Sequence, residues 1–184
     1  MIQIKLKDGS ALELENGSTA LSAAEKISAG LARAALAAEI NGEVADLRTE
    51  LRDGDSLNIL TFDTGGGKDA LRHSASHILA QAVKRLYPEA KLAIGPAIEN
   101  GFYYDIDSPK PFTQEDLDKI EAEMKKIVKE KLPIERFELP REEAVALMEK
   151  LGEPYKVELI RDLPDDAVIS FYKQGEFTDL CAGP

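Results

Sequence analysis

Three side chains with metal or acid–base chemistry lie far apart in a chain that holds few of them. The sequence has two histidines and one cysteine in 184 residues. His73 and His77 sit four apart in "RHSASHILAQAV" (72–83), and Cys181 lies near the end in "TDLCAGP". Histidines at i and i+4 of a helix project from one turn, so both imidazoles can reach one ion. The same pair can do acid–base or substrate-binding work in a cleft, because imidazole titrates near neutral pH. With Cys181 added, the set can hold zinc through three ligands with one position open, or line a reactive pocket without metal. Exposed, idle histidines are the plain alternative.

The helix that must carry the pair reads from 68 to 87 and stops at Pro88. At about 100° per residue, His77 lies only about 40° from His73. Leu71, Ile78, Leu79, Ala82 and Leu86 fall on the opposite side, as an apolar stripe would. The histidines share their side with Ser76, Ala80 and Lys84, and the small residues leave space for a second layer or a cavity.

Hydrophobic residues make up 43% of the chain, enough for a core, and tryptophan is absent. One cysteine forms no internal disulfide, which fits a reducing compartment. No run of 18 apolar residues is present and the start lacks a signal peptide's apolar stretch, so a cytoplasmic protein without membrane contact is expected. The net charge of −11, with 6 basic and 10 acidic side chains in residues 1–62, excludes a generic DNA or RNA binder that presents a basic stripe.

Residues 1–62 read as a small α+β unit. "IQIKLKDGSALELENG" is a hairpin around Asp8-Gly9, and "LAAEINGEVADL" is a second around Asn41-Gly42. Between them "ALSAAEKIS", capped by Ser18 or Thr19, reads as a helix ending near Gly30, and "LRDGDSLNILTF" closes with a turn and a strand. This order suggests a β-grasp, ubiquitin-like arrangement or another small α+β domain. Gly65-Gly66-Gly67 reads as a linker over 63–67 and lacks the spacing of a phosphate-binding loop. Beyond the first helix, "KLAIGPAIENGFYYDID" is loop-rich, with turns at Gly95-Pro96 and Asn100-Gly101. Thr113 opens a helix with Asp116 as its capping partner, a stripe of Leu117, Ile120, Met124, Ile127 and Val128, and an end at Pro133. "IERFEL" reads as a strand, "REEAVALMEKLG" as a helix, and "YKVELI", "AVISFYK" and "EFTDLC" as three strands.

Taken together, "RHSASHILAQAVKRLYPEAKLAIGPAIENGFYYDID", "YKVELI" and "DLCAGP" resemble the N-terminal region of bacterial threonyl-tRNA synthetases. The resemblance implies a TGS domain of β-grasp fold over 1–62 and an α+β editing domain over 68–184, with antiparallel sheet and packed helices. The family pattern is Cys-x3-His, and the sequence ends at Pro184, one residue before that histidine. It implies a C-terminally truncated editing domain without aminoacylation or anticodon-binding parts. The implied activity is hydrolysis of serine mischarged on tRNA(Thr), an ester at the tRNA 3′ end. The parent is a ligase; the fragment is a deacylase if its pocket is competent.

By the same resemblance His73 and Lys156 organise water and stabilise charge. His77, Asp179 and Cys181 shape the pocket and hold the substrate amine or terminal adenosine, with Asp179 the partner of the α-ammonium. Tyr104 offers a hydroxyl to the substrate. No metal and no cofactor are expected, although the related alanyl-tRNA synthetase editing domain can carry zinc; His73, His77 and Cys181 are the ligands otherwise. The partner is tRNA(Thr) carrying serine, with no DNA and no membrane, and the parent is a homodimer through other domains. A His/Cys zinc module and a non-catalytic tRNA or protein interaction module are the alternatives.

Overall fold

The computed structural model describes residues 1–183. It divides into two compact units, Met1–Arg72 and His73–Ala182.

In the first unit β1 (Ile2–Leu6) and β2 (Ala11–Leu14) form the expected hairpin. Gly9 takes φ of 85°, a backbone state that L-residues avoid, which is why Asp-Gly marks the turn. Helix α1 (Ala20–Ile27) is capped by Thr19, whose side chain accepts from the Ser22 N–H in a reciprocal capping box. The chain then breaks at Ser28, which caps a second short helix, α2 (Ala29–Ala34). The single helix expected to run toward Gly30 is therefore two, because the Ser28 hydroxyl takes the Leu31 N–H and restarts the count. Strands β3 (Ala37–Ile40) and β4 (Glu43–Ala45) pair across Asn41-Gly42, and β5 (Ser56–Leu60) joins them. The sheet order is β2-β1-β5-β3-β4, with β1 and β5 parallel and the other pairs antiparallel. Ile2, Ile4, Leu14, Leu51 and Leu57 from the strands and loops close over Ala20 and Ala23 of α1. Fully burying one such leucine or isoleucine stabilises by about 1.5–3 kcal/mol.

Helix α3 (Gly65–Leu86) begins earlier than the sequence suggests, since the three glycines form its first turn. A Cβ at Gly67 would lie 2.0 Å from the Thr61 carbonyl oxygen, so close approach, and not only freedom, accounts for glycine there. In the second unit the loop-rich stretch holds two small ladders. Strand β6 (Lys91–Leu92) pairs with β9 (Ile106–Asp107), and β7 (Ala97–Ile98) pairs with β8 (Gly101–Phe102). Helix α4 (Gln114–Glu130) has the Thr113–Asp116 capping box. Only Ile120 and Ile127 of its stripe are fully buried, while Leu117 and Val128 remain half exposed at the stripe's edges. The helix stops before Pro133, at Lys131 in the left-handed conformation.

Strand β10 (Glu135–Glu138) is followed by α5 (Arg141–Leu151), which Gly152 ends with φ of 71°. The segment "YKVELI", expected as a strand, is instead helical, in α6 (Pro154–Asp162). Its alternation of polar and apolar residues is misleading. Pro154 at the first helical position presets φ, and Lys156, Val157 and Ile160 share one buried face at helical spacing. Strands β11 (Ser170–Gln174) and β12 (Phe177–Leu180) complete an antiparallel sheet in the order β10-β11-β12. One core of this unit packs Met148, Ile160 and Phe171 between α5, α6 and the sheet. Another packs Ala82 and Val83 of α3 against Ile120 and Ile127 of α4.

Candidate functional site

Four chain segments of the second unit converge on one carboxylate. Helix α3 contributes His73 and His77. The end of β12 contributes Asp179 and Cys181, which share a face with Phe177 because strand side chains alternate. Tyr104 comes from the segment between β8 and β9, and Lys156 from the buried face of α6.

Asp179 is 2% exposed and fully engaged. Its Oδ2 lies 3.0 Å from His77 Nδ1 and accepts the Tyr104 hydroxyl at 2.6 Å. Its Oδ1 lies 2.9 Å from the Lys156 ammonium, itself almost wholly buried. Lys156 Nζ also donates to the Tyr104 oxygen at 3.1 Å, so three polar groups close a ring around the carboxylate. The His73 and His77 rings stack with centroids 4.9 Å apart, and His73 Nε2 lies 3.3 Å from Cys181 Sγ. The structure thus brings together all six residues singled out in the sequence.

The expectation that small residues on the histidine side leave room for a second layer has a concrete form. Ser76 and Ala80 are completely buried, whereas Leu71 and Leu86 on the opposite stripe are more than a third exposed. The Ser76 hydroxyl lies 2.7 Å from the His73 carbonyl and 3.0 Å from that of Gly95. Gly95 in turn has the Tyr104 ring against it, and a Cβ there would come within 2.2 Å of that ring. Ser76 and Gly95 therefore set the distance between α3 and Tyr104. The sequence marks Gly95 only as a turn residue, and no pattern in it reveals this packing role.

Charge follows from these contacts. Burial pushes the Asp179 carboxyl up, but the His77 hydrogen bond, the Lys156 charge and the Tyr104 hydroxyl outweigh it and hold the group at about 2. Burial pushes His77 down, yet its hydrogen bonds and the negative charges of Asp179 and Cys181 raise it to about 9. The Cys181 thiol is raised by burial and lowered more strongly by the two histidines, to about 6. Tyr104 is held well above its ordinary range, by burial and then by the Asp179 charge, and stays a donor. Between about pH 6 and pH 9 the His77–Cys181–Asp179 part of the cluster carries an imidazolium, a thiolate and a carboxylate.

The ligand atoms of His73, His77 and Cys181 lie within 4.8 Å of one another, a set of two nitrogens and one sulfur. His77 gives Nδ1 to Asp179, which leaves its buried Nε2 as the nitrogen available to Cys181 or to an ion. A carboxylate behind a histidine is also how metal-binding imidazoles are oriented, so these donors suit a thiophilic cation. The same set suits metal-free proton transfer, with two imidazoles and a thiol side by side.

Residues 2–61 match the TGS domain. The whole chain is 68% identical to a threonine–tRNA ligase of Acetivibrio thermocellus, over 29% of that protein. It is 64% identical to the threonine–tRNA ligase of Clostridium acetobutylicum and 63% to that of Clostridium tetani, again over 29% of each. The chain thus spans less than a third of the length of the curated relatives it matches.

Proposed function

We propose that this chain, homologous along its whole length to the N-terminal region of bacterial threonine–tRNA ligases, hydrolyses serine esters at the 3′ end of tRNA(Thr). The observation that carries the reading is the ring of Lys156, Tyr104 and His77 closed around buried Asp179, with His73 and Cys181 beside it. Ester hydrolysis needs a placed water, a proton acceptor and a positive charge facing the oxyanion. His73 and Lys156 take the water-organising and charge-stabilising roles, and His77, Asp179 and Cys181 shape the cleft. Because Lys156, His77 and Tyr104 already occupy both Asp179 oxygens, an α-ammonium reaching this carboxylate has to share Oδ1 with Lys156. Asp179 is therefore first an anchor for the other groups and only second a ligand for substrate.

The need for such a site is physical. A pocket that accepts threonine discriminates against serine, one methyl smaller, by only roughly 1–3 kcal/mol. A second, smaller site that hydrolyses serine and clashes with the extra methyl supplies the remainder. In this reading residues 1–62 are a TGS domain of β-grasp fold and 68–184 belong to an editing domain, and 63–67, whose glycines open α3, join the two along the sequence. The described residues contain no helix long and apolar enough to cross a membrane; a cytoplasmic place, and dimerisation through other domains of the parent, belong to the proposal. The net charge of −11 points to weak, salt-sensitive tRNA affinity for the chain alone.

A non-hydrolysable 3′-seryl-amide of adenosine tests the substrate class by calorimetry. Binding of the seryl compound and rejection of its threonyl counterpart agree with the reading, and equal binding of both contradicts it. The second reading, a zinc module, is favoured by the buried Nε2 of His77 near Cys181. Elemental analysis of protein purified without chelator decides it, since one equivalent of zinc lost in Cys181→Ser replaces the first reading with the second.

A further inference from the structure

Glu153 sits at the N-cap of α6 yet makes no capping hydrogen bond to its own helix. It is a buried acid, 6% exposed, so its charge must be answered elsewhere. Its Oε1 lies 2.7 Å from the Lys84 ammonium and its Oε2 accepts the Leu92 N–H at 2.8 Å. Lys84 also donates to the carbonyls of Pro88 and Ala90. One carboxylate thereby fastens the last turns of α3, strand β6 and the start of α6.

Three residues later, α6 delivers Lys156 to Asp179 and Tyr104. Helical geometry makes the direction of a side chain at the fourth residue depend on how the first turn is held. Pro154 at the first helical position leaves the turn one donor fewer; the Glu153 N–H donates to the Met148 carbonyl, and its carboxylate turns outward to Lys84 and the Leu92 amide instead of capping the turn. We infer that Glu153 is a positioning residue: through Lys84 and the Leu92 amide it sets the first turn of α6, and so holds the Lys156 ammonium against Asp179 and Tyr104. This deepens the reading given under Proposed function, but the placement of Lys156 is a structural claim with its own readout.

The test is competitive amine labelling of the whole chain, read by mass spectrometry at Lys156 and at exposed lysines. Glu153→Gln keeps an acceptor for the Leu92 amide and loses the charge for Lys84; Glu153→Ala removes both. Labelling of Lys156 rises several-fold in Glu153→Gln and at least tenfold in Glu153→Ala, while exposed lysines are unchanged. The thiolate absorbance of Cys181, which reports the histidines on α3, keeps its midpoint in Glu153→Gln. Unchanged Lys156 labelling in both folded variants overturns the inference. So does a shifted Cys181 midpoint accompanying the labelling, because it signals general loosening and not a misplaced Lys156. Should Glu153→Ala fail to fold, Lys84→Met with Glu153→Gln gives the same pair of readouts. On seryl-tRNA(Thr), Glu153→Gln lowers kcat with KM nearly unchanged, and adds no further loss to Lys156→Met. An additive loss overturns the inference, whereas absence of hydrolysis by the unmutated chain contradicts the hydrolytic reading and leaves the labelling to decide the placement.

Discussion

Replacing Asp179 by asparagine keeps its size and removes one charge from the centre of the ring. The Lys156 ammonium then stays buried with no counter-ion at Oδ1, where the carboxylate now stands 2.9 Å away. At that separation, and at an effective dielectric of about 20, the lost attraction is on the order of 6 kcal/mol before solvation is counted. Lys156 recovers part of this by shedding its proton or moving toward water, so the net destabilisation expected is about 3–5 kcal/mol. The amide adds a second conflict. All three neighbours, His77, Tyr104 and Lys156, present donors to the carboxylate, and an asparagine NH2 must face one of them. Urea unfolding at pH 7 followed by circular dichroism measures the loss. The double variant Asp179→Asn/Lys156→Met, which removes the stranded charge, recovers at least about 2 kcal/mol. The unmutated protein also loses this contribution in acid: the carboxyl is held at about 2, below its ordinary 3.8, so the stability is fully present above about pH 4 and falls as pH drops toward 2. A single-variant loss below about 1 kcal/mol, or a double variant no more stable than the single, refutes the reasoning.

Cys181 is the only thiol, so the 240 nm absorbance difference between the protein and its Cys181→Ser variant, in which the tyrosinate contribution cancels, titrates it; its midpoint lies near pH 6 and moves up toward 9 in His77→Gln, whereas an unshifted midpoint contradicts the histidine–thiolate pairing. Gly95→Ala drives a methyl into the Tyr104 ring at 2.2 Å and costs about 1–3 kcal/mol in chemical denaturation, with an unchanged midpoint as the opposing result. Lys131, left-handed at φ of 51°, closes α4; Lys131→Gly removes that strain and raises stability by about 0.5–1 kcal/mol, while a lower unfolding midpoint contradicts it.

Much of the local structure is legible because short-range chemistry dictates it. Asp8-Gly9 and Asn41-Gly42 mark two hairpins, and Thr113 with Asp116 marks the start of α4. Spacing alone puts the histidine pair on one face of α3, ligand chemistry adds Cys181 to it as a possible set, and its convergence with Lys156, Tyr104 and Asp179 is expected only through family resemblance. What the sequence hides depends on neighbours distant in the chain. "YKVELI" alternates like a strand, but Pro154 and the burial of Val157 and Ile160 against α5 make it a helix. The three glycines have the composition of a linker, yet they continue α3 upstream, and at Gly67 the Thr61 carbonyl leaves no room for a side chain. Glu153 carries no pattern at all, because its role lies in whom it touches and not in its spacing.

The most direct measurement of the central claim is the rate at which this chain releases serine from seryl-tRNA(Thr) in single turnover, with threonyl-tRNA(Thr) and a His73→Ala variant alongside. The account predicts hydrolysis of the serine ester, little or none of the threonine ester, and loss of the serine activity in the variant. Equal hydrolysis of both esters, no hydrolysis of either, or a His73→Ala protein as fast as the unmutated one contradicts it.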